Sequence, residues 1–203
     1  MRLLRAWVPA LVAGGLWLVS AWVEWLTDGS TARPARVLDL LAPETVPVGH
    51  LTAPAPWNLV LPLLWVLAVV GAHAGLLAAV RVRRGAAPPL TAFVAYWMCA
   101  VVAGAVVAAV PVAAGIVTGV LQQELPTGLP RAYLATAAHW GLVWGWLAAM
   151  VAVALDGPAR GVRADAPAAT DGRSRLALVA AGAGLFLAAA VGLGVASGAA
   201  VAA

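Results

Sequence analysis

The sequence contains very little charge. Of its 203 residues only 10% are Asp, Glu, Lys or Arg, whereas 64% are hydrophobic. A soluble domain of this size carries about 25% charged residues, so this chain has too few to cover a surface that faces water. The shortage argues against a soluble globular protein and favours a protein whose solvent is lipid.

Lysine is absent, and cysteine occurs once, as Cys99. A lone cysteine excludes a disulfide bond within the chain. Because lysine is absent, the positive charge behind the net charge of +4 comes from arginines. They gather in short segments between apolar runs and form no basic stripe. That distribution is typical of membrane topology signals, and it argues against nucleic acid as a partner.

The common catalytic patterns are also missing. The chain has no G-x-S-x-G elbow, no H-E-x-x-H motif, no P-loop and no paired carboxylates. No Asp or Glu lies in the middle of an apolar run, and no histidine has a Cys, Asp or Glu at metal-ligand spacing. We therefore expect no catalytic residues, no metal site and, most simply, no cofactor.

What the sequence does have is long apolar runs. Five are long enough to cross a bilayer, which takes about 20 residues. They cover residues 6–26, 57–80, 90–121, 132–155 and 176–197. Arginine-rich segments alternate with neutral ones, which places the N-terminus in the cytoplasm and the C-terminus outside the cell. We predict an all-α integral membrane protein, a bundle of five transmembrane helices that passes repeatedly through the inner (plasma) membrane.

Two connections divide this bundle. Residues 1–155 are expected to form a four-helix bundle with an extracytoplasmic loop at 27–56, the first place to look for a binding surface. Residues 156–175 are polar and rich in Pro, Gly and Ala, which predicts a flexible cytoplasmic linker. Residues 176–203 are the fifth transmembrane helix. His50, in the loop, is expected to be solvated.

Two spans have a feature of their own. The first resembles a signal peptide with a cleavage site after "VSA", but the "WVEW" that follows is typical of an interfacial aromatic girdle and favours an uncleaved helix. The third is longer than one straight crossing and contains Pro111, which predicts a kink or a strong tilt.

Pairs of glycines four residues apart occur in four of the spans. Such pairs allow helix backbones to approach closely, either within the chain or against another membrane protein. The pairs are Gly71 and Gly75, Gly115 and Gly119, Gly141 and Gly145, and Gly194 and Gly198.

Two histidines lie inside spans and are weak candidates for a binding site. His73 is about 10 Å from the cytoplasmic end of its helix. His139 differs from it in depth by roughly 10 Å, which argues against a haem held by both rings. The simplest state of each is a neutral ring bonded to a backbone carbonyl or a Thr. His73 points away from Gly71 and Gly75 on a helical wheel, so shielding it from lipid requires a helix packed on two sides.

Trp144 and Trp146 are further weak candidates. Both lie near the middle of the fourth span, too deep for an interfacial girdle. We expect them to fill volume between helices, with partners for their indole N–H groups. The alternative is a pocket for an aromatic or lipidic ligand.

These observations favour a non-catalytic multispan protein that is an accessory or scaffolding subunit of a larger membrane complex. Its partners are then the lipid bilayer and other membrane subunits. One alternative is a small transporter or channel component, with His73 and His139 lining a polar pathway. A second is a membrane enzyme or cofactor-binding protein, whose polar cluster would have to form in space from Trp146, His139 and loop residues.

Overall fold

The computed structural model describes residues 2–27, 41–83, 88–117, 129–160 and 171–202. Within these ranges the regular structure is entirely helical, with five long helices and one short helix. They are α1 (Arg2–Thr27), α2 (Val48–Leu51), α3 (Trp57–Arg83), α4 (Pro89–Val117), α5 (Leu129–Arg160) and α6 (Asp171–Ala202).

Each long helix contains a stretch long and apolar enough to cross a membrane, so the prediction of five apolar helices is confirmed. In lipid a backbone N–H or C=O has no water to bond, and an apolar segment satisfies these groups internally by forming a helix. Pro89 begins α4, where its missing N–H costs nothing. The helix continues through Pro111 to Val117.

Four of the helices pack in a closed ring, in which α1 and α4 each contact both α3 and α5. The fifth long helix, α6, packs along the outside of this ring against α3. We call the end where α1 stops and α3 starts the loop end, and the opposite end, where Arg81 lies, the arginine end. α3 is the central helix, because α1, α2, α4 and α6 all contact it.

The contact between α3 and α6 depends on glycine. A Cβ atom placed at Gly182 would lie 2.5 Å from the backbone nitrogen of Gly75, closer than a side chain can approach. A Cβ at Gly71 would lie 2.5 Å from the backbone nitrogen of Phe186. The two backbones therefore touch directly, with no side chain between them.

Glycine also permits close packing of α4 on α5. A Cβ at Gly141 would collide with the backbone of Val101, and one at Gly145 would lie 2.5 Å from the Ala100 methyl group. From the other side, a Cβ at Gly104 would collide with the carbonyl of Ala137. Because these contacts run in opposite directions along the two helices, α4 and α5 are antiparallel.

Both helices that flank the predicted 156–175 linker extend into it. α5 continues to Arg160, and α6 begins at Asp171. The middle of the linker, residues 161–170, lies outside the described residues, as do residues 28–40 of the predicted loop.

Candidate functional site

Three tryptophans from three helices meet in the half of the ring nearest the loop end. Trp17 of α1 stacks on Trp65 of α3, with ring centroids 6.3 Å apart. Trp140 of α5 meets Trp17 edge to face at 4.8 Å. All three rings are fully buried, and within the described part of the chain the indole N–H groups of Trp17 and Trp140 have no hydrogen-bond partner. These rings, called here the tryptophan layer, fill the space between α1, α3 and α5.

Residues 41–47, called here the inserted segment, descend between the helices to this layer. The hydroxyl of Thr45 donates to the backbone carbonyl of Trp17 at 2.8 Å. The hydroxyl of Ser20 donates to the carbonyl of Pro43 at 2.9 Å. Since Trp17 and Ser20 precede the end of α1 by ten and seven residues, the segment reaches about 10–15 Å below that end.

Irregular backbone at such a depth needs partners, because lipid offers none. The inserted segment contains Pro43 and Pro47, which have no N–H to satisfy. The carbonyl of Leu41 accepts a hydrogen bond from the indole of Trp144 at 2.6 Å. Ala42, Thr45 and Val46 are buried, so much of the segment is enclosed by protein.

His50 follows the inserted segment and lies in the short helix α2. Its Nδ1 accepts a hydrogen bond of 3.0 Å from the indole N–H of Trp65. Burial lowers the pKa of His50 below the ordinary value of 6.5, because burial disfavours the charged ring. The expectation of a solvated ring therefore differs from the structure, in which His50 is partly buried and bonded to the tryptophan layer.

A second polar cluster lies at the arginine end and joins three helices. The Arg81 guanidinium of α3 pairs with the Asp156 carboxylate of α5, with 3.0 Å between Nε and Oδ2. The hydroxyl of Tyr96 on α4 donates to the same oxygen at 2.7 Å. The guanidinium carbon also lies 5.4 Å from the Tyr96 ring centroid, within the range of a cation–π contact. This cluster ties α3, α4 and α5 together.

His73 lies deeper, with no exposed surface. Among the described residues neither ring nitrogen has a hydrogen-bond partner, although the backbone carbonyl of Tyr96 approaches the ring without hydrogen-bond geometry. Both nitrogens are buried from solvent. The glycine face of α3 is covered by α6, and the helix also contacts α1 and α4. It is therefore packed on more than one side, as the shielding of His73 from lipid requires.

The Arg81–Asp156 pair sets the relative height of α3 and α5, and therefore of the two histidines. His73 lies eight residues from Arg81, or about 12 Å along the helix. His139 lies seventeen residues from Asp156, or about 26 Å. The two rings thus differ in depth by about 14 Å, and they cannot ligate a common haem iron. Within the described side chains no three His, Cys, Asp or Glu residues form a group that could hold a metal ion.

The two candidate tryptophans of α5 face different surroundings. Trp144 is partly buried against the core and bonds the inserted segment. Trp146 is 39% exposed on the outside of the bundle, and its indole donates to the carbonyl of Val143 in its own helix. The expectation that both fill volume between helices therefore does not describe Trp146, which the structure does not bring into a polar cluster with His139.

The four glycine pairs also differ. Gly71, Gly75 and Gly141 face neighbouring backbone within the chain, and Gly145 faces the Ala100 methyl group. A Cβ at Gly194 would have nothing within 4 Å. The surroundings of Gly115, Gly119 and Gly198 lie outside the part of the structure whose side chains are described.

Sequence reasoning missed the inserted segment and the arginine-end cluster. The available signal for the inserted segment was Pro43 and Pro47 together with the hydroxyls of Ser20 and Thr45. Proline has no backbone N–H, so a segment that contains it leaves fewer groups unbonded in an apolar interior. For the second, Arg81 and Asp156 stand at the ends of apolar runs and read equally well as topology signals.

No family model, no curated protein and no solved structure matches the chain. The class follows from the fold instead. The described residues form an all-helical structure with five helices long and apolar enough to cross a membrane, which indicates a multi-pass membrane protein.

Proposed function

We propose that the protein is a non-catalytic subunit of a larger complex in the inner (plasma) membrane, and that the face of α6 turned away from the ring docks another membrane helix. The observation that carries this proposal is that Gly194 is exposed on α6, has nothing within 4 Å of a Cβ placed there, and lies four residues before Gly198. Glycine inside a helix costs about 1 kcal/mol relative to alanine, and among the described residues no neighbour of Gly194 requires the smaller residue.

The rest of α6 supports the same conclusion. One face holds the helix to α3 through Gly182, while Leu187, Val191 and Val195 are exposed. Small residues four apart, such as Gly194 and Gly198, are typical of the contact between two membrane helices. The proposed arrangement has the N-terminus in the cytoplasm and the C-terminus outside.

Extraction in native-lipid discs, followed by mass spectrometry, tests the proposal. The parent protein should purify with a stoichiometric membrane partner, and Gly194→Leu should reduce the yield of that partner at least fivefold, because the larger side chain prevents close helix approach. Thermal stability of the isolated chain should not change, since the new side chain meets open space.

Gly15→Leu is the matched control. A Cβ placed at Gly15 would likewise have nothing within 4 Å, but this glycine lies on α1. The Gly15→Leu variant should retain the partner. A parent protein that purifies alone, or a Gly194→Leu variant that retains its partner, contradicts the proposal.

A second candidate is a small transporter or channel component, and a different observation favours it. An ionisable side chain inside a membrane is a functional candidate by default, and both nitrogens of His73 lack a partner among the residues that the structure describes. The pathway would run from the arginine-end cluster past His73 to His139. Because His73 has no exposed surface, this function requires a second conformation.

Proton flux into liposomes tests the second candidate. His73→Leu and His139→Leu should each abolish a flux that the parent protein supports, because each removes a group that carries the proton. Absence of flux in the parent, or unchanged flux in both variants, eliminates the histidine pathway.

A further inference from the structure

We infer that the hydrogen bond between His50 and Trp65 is a pH-sensitive latch, which holds the inserted segment in the bundle when His50 is neutral and releases it when His50 is protonated. The inference concerns a conformational change at the loop end. It holds whichever of the two functions is correct.

The geometry of the bond makes it depend on protonation. The indole of Trp65 can only donate, and it donates to Nδ1 of His50 at 3.0 Å. A protonated imidazole carries hydrogen on both nitrogens, so Nδ1 can no longer accept this bond. The ring would then present a donor to a donor at a partly buried site, which is unfavourable.

Among the described hydrogen bonds that hold the inserted segment and α2 in place, the bond to His50 is the one with a partner that changes charge near neutral pH. The other hydrogen bonds that hold the segment involve the hydroxyls of Ser20 and Thr45 and the indole of Trp144, and these groups do not change charge. α2 is joined to the segment directly at Pro47, whose carbonyl accepts from the backbone N–H of His50 at 2.8 Å. Loss of the Trp65 bond therefore acts on the end of the segment.

The charged and titratable groups at this end of the bundle do not oppose the latch. Among the side chains that the structure describes they are Glu24 on α1, Glu44 in the inserted segment and Tyr133 on α5, and α3 has no charged side chain between Trp57 and Val80. None of them acts on the pKa of His50, which is lowered by burial alone.

The direction of the pH dependence follows. A released His50 has its ordinary pKa of 6.5, whereas the seated ring has a lower pKa. The seated state is fully favoured above pH 6.5 and loses stability as the pH falls toward the pKa of the seated ring. The equilibrium constant for release should be up to about thirtyfold larger at pH 5 than at pH 7.5. This factor is the ratio of charged to neutral imidazole at pH 5 for a ring with a pKa of 6.5.

Thiol labelling in lipid discs measures this release. Val46→Cys places a thiol at a fully buried position of the inserted segment, and Glu44→Cys places one at an exposed position two residues away. Both are made in a Cys99→Ala background. The labelling rate at position 46 is divided by the rate at position 44, which removes the pH dependence of the thiol reaction itself. This ratio should rise at least threefold between pH 7.5 and pH 5.

His50→Asn supplies the control, because an amide oxygen can take the place of Nδ1 as an acceptor without titrating. Its labelling ratio should stay low and flat across the same pH range. In a Trp65→Phe variant, which lacks the donor, the ratio should already be raised at pH 7.5. A flat ratio in the parent background, or an equal rise in His50→Asn, overturns the inference.

Discussion

At the scale of single residues, most polar side chains inside the described part of this protein bond to one another or to backbone carbonyls. Ser20, Thr45 and Trp144 secure backbone that would otherwise lack partners, and Tyr96 with Arg81 satisfies Asp156. His73 differs from them because neither of its nitrogens is bonded to a described residue, and the indoles of Trp17 and Trp140 likewise lack a described partner. An unpartnered buried polar group costs about 1–3 kcal/mol, so His73 lowers the stability of the fold.

Replacing His73 with leucine should therefore stabilise the protein by about 1–2 kcal/mol, because it removes two unsatisfied polar atoms and leaves a side chain of similar size. Thermal unfolding in detergent measures this as a higher midpoint. Leu77→Ala, one turn away and equally buried, should lower the midpoint by opening a cavity. A destabilised His73→Leu variant would show that the imidazole has a polar partner in the folded protein.

The arginine-end cluster should contribute to stability through its charge-assisted hydrogen bond. Tyr96→Phe removes the hydroxyl that donates to Asp156 at 2.7 Å, and it should cost about 1–3 kcal/mol of unfolding free energy. Combining it with Asp156→Asn gives a double-mutant cycle, in which we expect a coupling energy of about 1 kcal/mol. Strictly additive effects would mean that this bond does not stabilise the protein.

At the scale of helices, close backbone contact decides which pairs associate. Lipid tails are as apolar as leucine, so burial of apolar surface does not by itself drive one membrane helix against another. Close steric fit therefore has to drive their association. The glycines at 71, 75 and 182 allow α3 and α6 to touch along their backbones. The same holds for α4 and α5 at Gly104, Gly141 and Gly145.

Gly182→Ala should separate α6 from α3, because its methyl group would lie 2.5 Å from a backbone atom that cannot move independently. We expect a loss of about 1–3 kcal/mol in unfolding free energy. Gly184→Ala is the matched control on the same helix, since a Cβ there meets nothing within 4 Å, and it should be neutral or slightly stabilising. Equal effects of the two substitutions would contradict this backbone contact.

At the scale of the whole molecule, the ring of α1, α3, α4 and α5 encloses two polar regions of different character. The arginine end contains an ion pair and a tyrosine, while the loop end contains the inserted segment and the tryptophan layer. Between them lies His73, which has no exposed surface. Of the five spans, the one in α6 is the least buried.

The sequence by itself determined the number and approximate bounds of the membrane helices. This is a local property, because each apolar run must satisfy its own backbone groups in lipid and can do so only as a helix. The helical wheel of α3 likewise sufficed to show that shielding His73 requires contacts on two sides.

Only the tertiary structure decided which surfaces meet. The pairing of α6 with α3, the outward position of Trp146 and the descent of residues 41–47 to the tryptophan layer all depend on contacts between residues far apart in the chain. Ten of the residues here are tryptophan and 21 are glycine, so many pairings satisfy the same local pattern. The steric fit of whole helices selects one of them, and no short stretch of sequence contains that fit.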